Sequence, residues 1–203
     1  MFGDPRLNPF NYPKRKFDDF ADSKLGKMLD KGKVRGDRTL PYLRNANVRW
    51  FAFELSDVSG MDFFEKELER FRVKQGDLLI CEGGEPGRCA IWRGEVDEIY
   101  YQKALHRVRV DREIAIPEYI EYWFFMATNL GMLTDTVTSA TIAHLTGAKL
   151  KSLEIALPPI SAQIELANKL ESISKHRLQQ EAQSYVLNQA FASLQSRAFR
   201  GEL

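Results

Sequence analysis

The residues of this 203-residue chain that could do chemistry fall into a few small groups, each missing something. Asp77 and Glu82 flank an apolar run like a nuclease carboxylate pair, but the lysine that should follow Glu82 is replaced by Gly83-Gly84. Cys81 and His106 offer a thiol and an imidazole, a nucleophile–base pair if folding brings them together. Cys81 and Cys89 have no second cysteine pair, and His106, His144 and His176 are scattered. No metal-ligand spacing is present, and no metal site is expected. Gly83-Gly84-Glu85-Pro86-Gly87 has glycines but lacks the Gly-Lys-Ser/Thr of a phosphate loop and the later acid of a dinucleotide site. Leu157-Pro158-Pro159-Ile160 has the Pro-Pro of an amino-methyltransferase loop without its preceding Asn/Asp or following aromatic. The chain is expected to be non-catalytic and to hold no cofactor.

Charge is more informative. Lys+Arg number 29 and Asp+Glu 28, so the net charge is +1, which by itself argues weakly against a nucleic-acid binder. The distribution is uneven. Lys31, Lys33, Arg35, Arg38, Arg44 and Arg49 are opposed only by Asp37, and Gly32 and Gly36 read as loop residues. Acid is concentrated at Asp62, Glu65, Glu67 and Glu69 and again at Glu95, Asp97 and Glu98. Such a dipolar chain can offer DNA one basic face. On this chemistry Lys33, Arg35 and Arg38 are expected to contact phosphates. Arg44, Asn45, Asn47 and Arg49 could reach base edges, Asn being suited to adenine. Thr138, Ser139, Thr141 and His144, Arg88 after the glycine turn, and Lys103 could line the same groove. The competing reading is a solvated loop with ordinary charge scatter.

The elements that must position these groups divide in two. Residues 1–160 hold all eight prolines, twelve of the thirteen glycines and all three tryptophans, whereas 161–203 hold one glycine and no proline. The first part reads as mixed α+β. It has a strand candidate over 41–50, a short charged helix or turn over 63–71 and a hairpin formed by 78–81 and 89–92. A half-buried strand follows over 104–110, then a helix from Pro117 to Leu130, a polar loop over 134–141 and a strand over 153–157. From a cap at Ser161 the pattern turns helical. Leu166, Leu170, Ile173, Arg177, Gln180, Ser184, Leu187, Phe191, Leu194 and Ala198 step by fours and threes, an a/d seam with a polar centre. A helix to Phe199 is about 58 Å long. That exceeds what a domain of ~160 residues, with radius of gyration about 15 Å, can cover. The seam therefore calls for a partner helix, the alternative being a helix folded back on its own domain. No run of about 18 uncharged apolar residues could span a membrane. The opening residues have no signal-peptide core, and two unpaired cysteines suit a reducing cytoplasm.

The order Gly3-Asp4-Pro5 with Asn8-Pro9, Tyr42-Leu43-Arg44-Asn45-Ala46-Asn47-Val48, Gly76-Asp77-Leu78-Leu79-Ile80, Gln102-Lys103-Ala104-Leu105, Ile142-Ala143-His144-Leu145, Leu157-Pro158-Pro159-Ile160 with Gln163, and Ala198-Phe199-Arg200-Gly201-Glu202-Leu203 covers nearly the whole chain. In that order it resembles the DNA specificity subunit of type I restriction–modification systems. The resemblance implies a DNA target recognition domain over 1–160 and a long dimerisation and spacer helix over 161–203, paired as an antiparallel coiled coil. It implies a cytoplasmic, non-catalytic subunit that reads one half of a bipartite site on double-stranded DNA. An adenine methyltransferase subunit carrying S-adenosylmethionine docks on such a subunit, and a motor–nuclease subunit joins. The usual subunit carries two recognition domains and two long helices. This chain carries one set, so it resembles a half-subunit that works as a homodimer, or one half of a longer parent. Two other readings stay open: a coiled-coil scaffold that reads no DNA, and a stand-alone small DNA-modifying enzyme.

Overall fold

The computed structural model describes residues 1–28, 38–133 and 144–202. In chain order, β1 (Lys14–Lys16), β2 (Ala21–Leu25) and β3 (Thr39–Leu43) are followed by β4 (Val48–Arg49), β5 (Ala52–Phe53) and β6 (Ser59–Asp62). Then come α1 (Glu65–Phe71), β7 (Leu78–Cys81), β8 (Cys89–Ile91), β9 (Tyr100–Tyr101) and β10 (Leu105–Val110). The chain continues as α2 (Pro117–Asn129), α3 (Gly147–Ser152), β11 (Glu154–Ala156) and α4 (Ile160–Phe199), with 3-10 turns at Phe17–Asp19 and Asn45–Asn47. This is a mixed α and β fold with a long helix after it. Contacts divide the chain into Met1–Gln163 and Ile164–Leu203.

The first unit is built on a four-stranded sheet in the order β2-β10-β7-β8, every pairing antiparallel. β7 is the apolar run Leu78-Leu79-Ile80-Cys81, wholly buried as expected of a strand covered on both faces. β10 departs from the half-buried alternation expected of it: Leu105, His106, Arg107 and Val108 are all buried. It lies between β2 and β7 with both faces covered, so its polar side chains had to find partners inside. His106 Nε2 lies 2.9 Å from the Leu145 carbonyl oxygen, and Arg107 donates to Asp22 at 3.3 Å. A second sheet, β6-β3-β9, pairs β3 with β9 in parallel, so the strand expected over 41–50 is only partly one. It ends at Leu43, turns through Asn45–Asn47 and restarts as the β4–β5 hairpin. Aromatic rings fill the interior, with Phe63 4.5 Å from Tyr100 and Phe53 4.9 Å from Trp92.

α2 begins at Pro117, whose missing N–H costs nothing at a helix start. Its Ile120, Phe124 and Ala127 are fully buried. Burying a side chain such as Phe124 contributes roughly 1.5–3 kcal/mol. The helix is fixed to β8 by Glu121, whose Oε1 accepts the Ile91 N–H at 3.0 Å. β1 has no apolar pattern and exists because it pairs with β11, Arg15 opposite Ile155. That pairing returns the chain's first residues to the neighbourhood of Pro158-Pro159. Gln163, fully buried, holds this corner: its Nε2 donates to the carbonyls of Pro158 (2.8 Å) and Ile114 (3.2 Å), and its Oε1 accepts from Ile116 N (3.1 Å).

α4 has 40 residues, about 60 Å of helix. It starts at Ile160, one residue before the expected cap. The Pro159 carbonyl accepts from the N–H groups of Ala162 and Gln163, so Ser161 lies in the first turn. Lys169–Glu165 and Lys175–Glu171 pairs at i, i+4 support it in water. It ends in a Schellman turn: Gly201 takes φ +73°, and the N–H of Glu202 reaches the carbonyl of Arg197 at 2.9 Å. Ile173, Leu187, Phe191 and Leu194 on the seam are all more than half exposed in the single chain. Leu178 and Tyr185, seven apart on a different face, are exposed as well. Among the described residues no helix is long and apolar enough to cross a membrane.

Candidate nucleic-acid interface

Some of the residues expected to read DNA lie on segments that meet around the glycine turn. Asn45 donates from Nδ2 to the Gly83 carbonyl at 2.8 Å, and Arg88 donates from Nη2 to the Asn45 carbonyl at 3.0 Å. Arg88 also pairs with Glu85 at 2.7 Å, while the other Glu85 oxygen accepts the Trp50 indole N–H at 2.9 Å. Gly84 and Gly87 take φ of +78° and +90°, and a side chain on Gly87 would collide with Leu133. On the far side of the turn, Leu145 N donates to the Glu82 carbonyl at 2.7 Å, which sets the neighbouring His144 beside the turn, half-buried. Glu82 N in turn donates to the Ala104 carbonyl at 2.8 Å, drawing in the turn that carries exposed Lys103. Arg44, Asn45, Arg49, Arg88, Lys103 and His144 thus belong to segments that meet at one end of β7.

Their availability differs. Arg49 is exposed at the β4–β5 hairpin. Arg44 is partly engaged, donating to the Asp57 carboxylate at 2.6 Å. Asn47 is 1% exposed, with Nδ2 bonded to the carbonyls of Glu54 and Asp57 and Oδ1 accepting from Arg44 N. This amide shapes the turn from inside and has nothing left to offer a base edge. Arg38 lies at the opposite end of β3 from Arg44, roughly 20 Å of strand away, where it pairs with Glu65 at 2.6 Å. The structure does not bring it to the glycine turn. Lys33, Arg35, Thr138, Ser139 and Thr141 lie outside the described residues.

Sequence reasoning missed Trp50 and Phe51. They form the two-residue tip of the β4–β5 hairpin, and Phe51 adopts φ +64°. That left-handed backbone, uncommon for a bulky residue, turns its ring onto α2, 4.8 Å from Tyr122 and 5.1 Å from Phe125. The cluster of three aromatics in Trp50-Phe51-Ala52-Phe53 was the signal.

The groups that could have been catalytic are kept apart. Cys81 is registered opposite Leu105, and the next residue, His106, points to the other face of the sheet. Burial pushes the Cys81 thiol up to about 11, so it is no thiolate at neutral pH, and burial lowers the His106 pKa. Asp77 and Glu82 sit at opposite ends of β7. Asp77 is taken by Arg109 in a two-point pair at 2.6 and 2.9 Å and by the N–H of Lys74 at 2.8 Å. No group of His, Cys, Asp and Glu among the described residues could hold a metal ion.

Comparison with known proteins gives this fold a family. Residues 9–187 match the type I restriction modification DNA specificity domain, and the chain belongs to that family. It is 28% identical over 176 residues to the type I restriction enzyme EcoKI specificity subunit of Escherichia coli strain K12, a match covering 80% of this chain and 37% of that subunit. It is 25% identical over 158 residues to the EcoBI specificity subunit of Escherichia coli, covering 72% and 32%. The chain thus spans about a third of the length of the curated relatives it matches. Among solved structures, the HsdS subunit from Thermoanaerobacter tengcongensis has the same fold, with TM-score 0.61 at 15% identity over 95% of this chain and 45% of that one. The type I S subunit from M. genitalium gives 0.55 at 17% identity over 81% and 39%.

Proposed function

We propose that this chain is a DNA-reading specificity component of a type I restriction–modification enzyme. It recognises one half of a bipartite site and docks the adenine methyltransferase subunit that carries S-adenosylmethionine. The observation that carries this reading is the DNA specificity domain match over residues 9–187. The meeting of the Asn45–Asn47 turn, the glycine turn and the His144 segment at one end of β7 supports it, because a rigid sheet there presents polar loops to one surface. Arg49 and Lys103, both exposed, are the phosphate ligands of that surface and half-buried His144 the group for a base edge, while Asn45 and Arg88 hold the loops together. The division of labour implied by the family leaves methylation to the partner and cleavage to a motor–nuclease subunit.

Two copies pair through α4. The exposed seam residues of one helix pack on the opposite end of its copy, with Gln180 at the two-fold axis. Leu178 and Tyr185, on another face, stay free for the methyltransferase. The helix length, about 60 Å, separates the recognition domains by between one and two turns of DNA at ~35 Å each. The expected target is therefore an interrupted palindrome. The test is selection of duplexes from a random pool by the chain assembled with its methyltransferase. Enrichment of one short motif in inverted repeat at fixed spacing supports the proposal. A pool with no motif, bound equally by all sequences, contradicts it.

A further inference from the structure

Beside the start of α4, Asn11, Tyr12, Pro13 and Arg15 face Glu113, Ile114 and Leu157–Ile160 across a shallow groove of about 350 Å³. Its floor is apolar, from Pro13, Ile114 and the Pro158-Pro159 pair, and its rim carries one cation, Arg15, and one anion, Glu113, both exposed. At the other end of α4, Phe199 is 86% exposed. The Schellman turn at Gly201 then bends the chain out of the helix axis just beyond Phe199. Arg200 and Glu202, on either side of Gly201, pair only with each other and with Ser196 among the described residues, at 2.7 Å and 3.1 Å.

We propose that this groove is the receptor for the Phe199–Glu202 segment of a second copy. The inference rests on the antiparallel α4 dimer proposed above. With Gln180 on the two-fold axis, Phe199 stands as far beyond the axis as Ser161 stands before it. Arg200–Glu202 of one copy therefore arrives opposite Pro158–Ile160 of the other, residues that line the groove. The chemistry matches: an aromatic ring without cover meets a proline-lined floor, Glu202 meets Arg15, and Arg200 meets Glu113. The opposite charges at both ends fix the direction in which the segment lies. Each copy gives one segment and one groove, so two contacts form per dimer and lock the helix register at both ends.

The test uses two differently tagged full-length chains, one Arg15→Cys and one Glu202→Cys, mixed and treated with a short bis-maleimide. Native Cys81 and Cys89 are buried with raised pKa values and do not compete. A covalent mixed dimer is expected. In parallel, sedimentation measures dimer dissociation. Phe199→Ala should weaken the dimer about tenfold, as an aromatic anchor does. Arg15→Glu or Glu202→Arg alone should weaken it about threefold, with the double swap restoring it. All these positions are on the surface, so the fold is not at risk. A dimer that Phe191→Glu dissolves, yet that gives no cross-link and ignores the charge swaps, overturns the groove contact and leaves the helix dimer standing. A wild-type chain that sediments as a monomer overturns both.

Discussion

Asn45 and Gly83, 38 residues apart, are joined by a 2.8 Å hydrogen bond from the Asn45 amide to the glycine carbonyl. This bond ties the turn after β3 to the turn between β7 and β8, and with Arg88 on the Asn45 carbonyl it makes the two turns one surface. Asn45→Leu leaves the carbonyl unpaired and is expected to cost about 2 kcal/mol. Urea denaturation should show a lower midpoint at unchanged slope, and base discrimination should fall with it.

Arg49 and Asn47 are two positions apart and should behave in opposite ways. Arg49→Ala removes an exposed cation, so it should leave stability unchanged and weaken all duplexes alike. The slope of log K against log salt should then drop by about one. Asn47→Ala removes a buried amide with three hydrogen bonds. It should lower the urea midpoint, with no change in salt slope for the protein that remains folded.

Much of this was legible in the sequence. The hairpin of β7 and β8, α2 and α4 follow from apolar runs, Pro117 and a heptad that continues from Leu166 to Ala198. The polar surface was legible only as composition. Lys14-Arg15-Lys16 forms a strand because β11 pairs with it, and α3 is too short for a period to emerge. β10 looked half-buried because its His and Arg resemble surface residues until the second cover of the sheet is seen. Asn47 had the right side chain for a base edge, and only the fold reveals that its amide is already committed.

Glu121 makes stability depend on pH. Burial raises its carboxyl from an ordinary 4.5 to about 7, partly offset by the Ile91 N–H it accepts and by Arg93. The folded state therefore holds a proton between about pH 4.5 and 7 that the unfolded chain has released. Stability should be full below that window and fall as pH rises through it, by on the order of 3 kcal/mol. Glu121→Gln keeps the acceptor and should flatten the profile, read by thermal melts from pH 5 to 8.

Gln163 anchors the first turn of α4 through three buried hydrogen bonds. Gln163→Leu should destabilise the first unit by about 3 kcal/mol. Gln163→Glu keeps the acceptor but loses the donor. A buried carboxyl has a raised pKa and donates only when protonated, so this variant should recover stability as pH falls, in the same melts.

The central claim is that this chain specifies where a partner methylates DNA. Co-expression with its methyltransferase subunit, followed by mapping of every methylated adenine in the host genome, reads that directly. The account predicts methylation at a single interrupted palindrome, lost when Phe191→Glu breaks the helix pair. Methylation that persists at the same sites without this chain, or that appears at no defined sequence with it, would contradict the account.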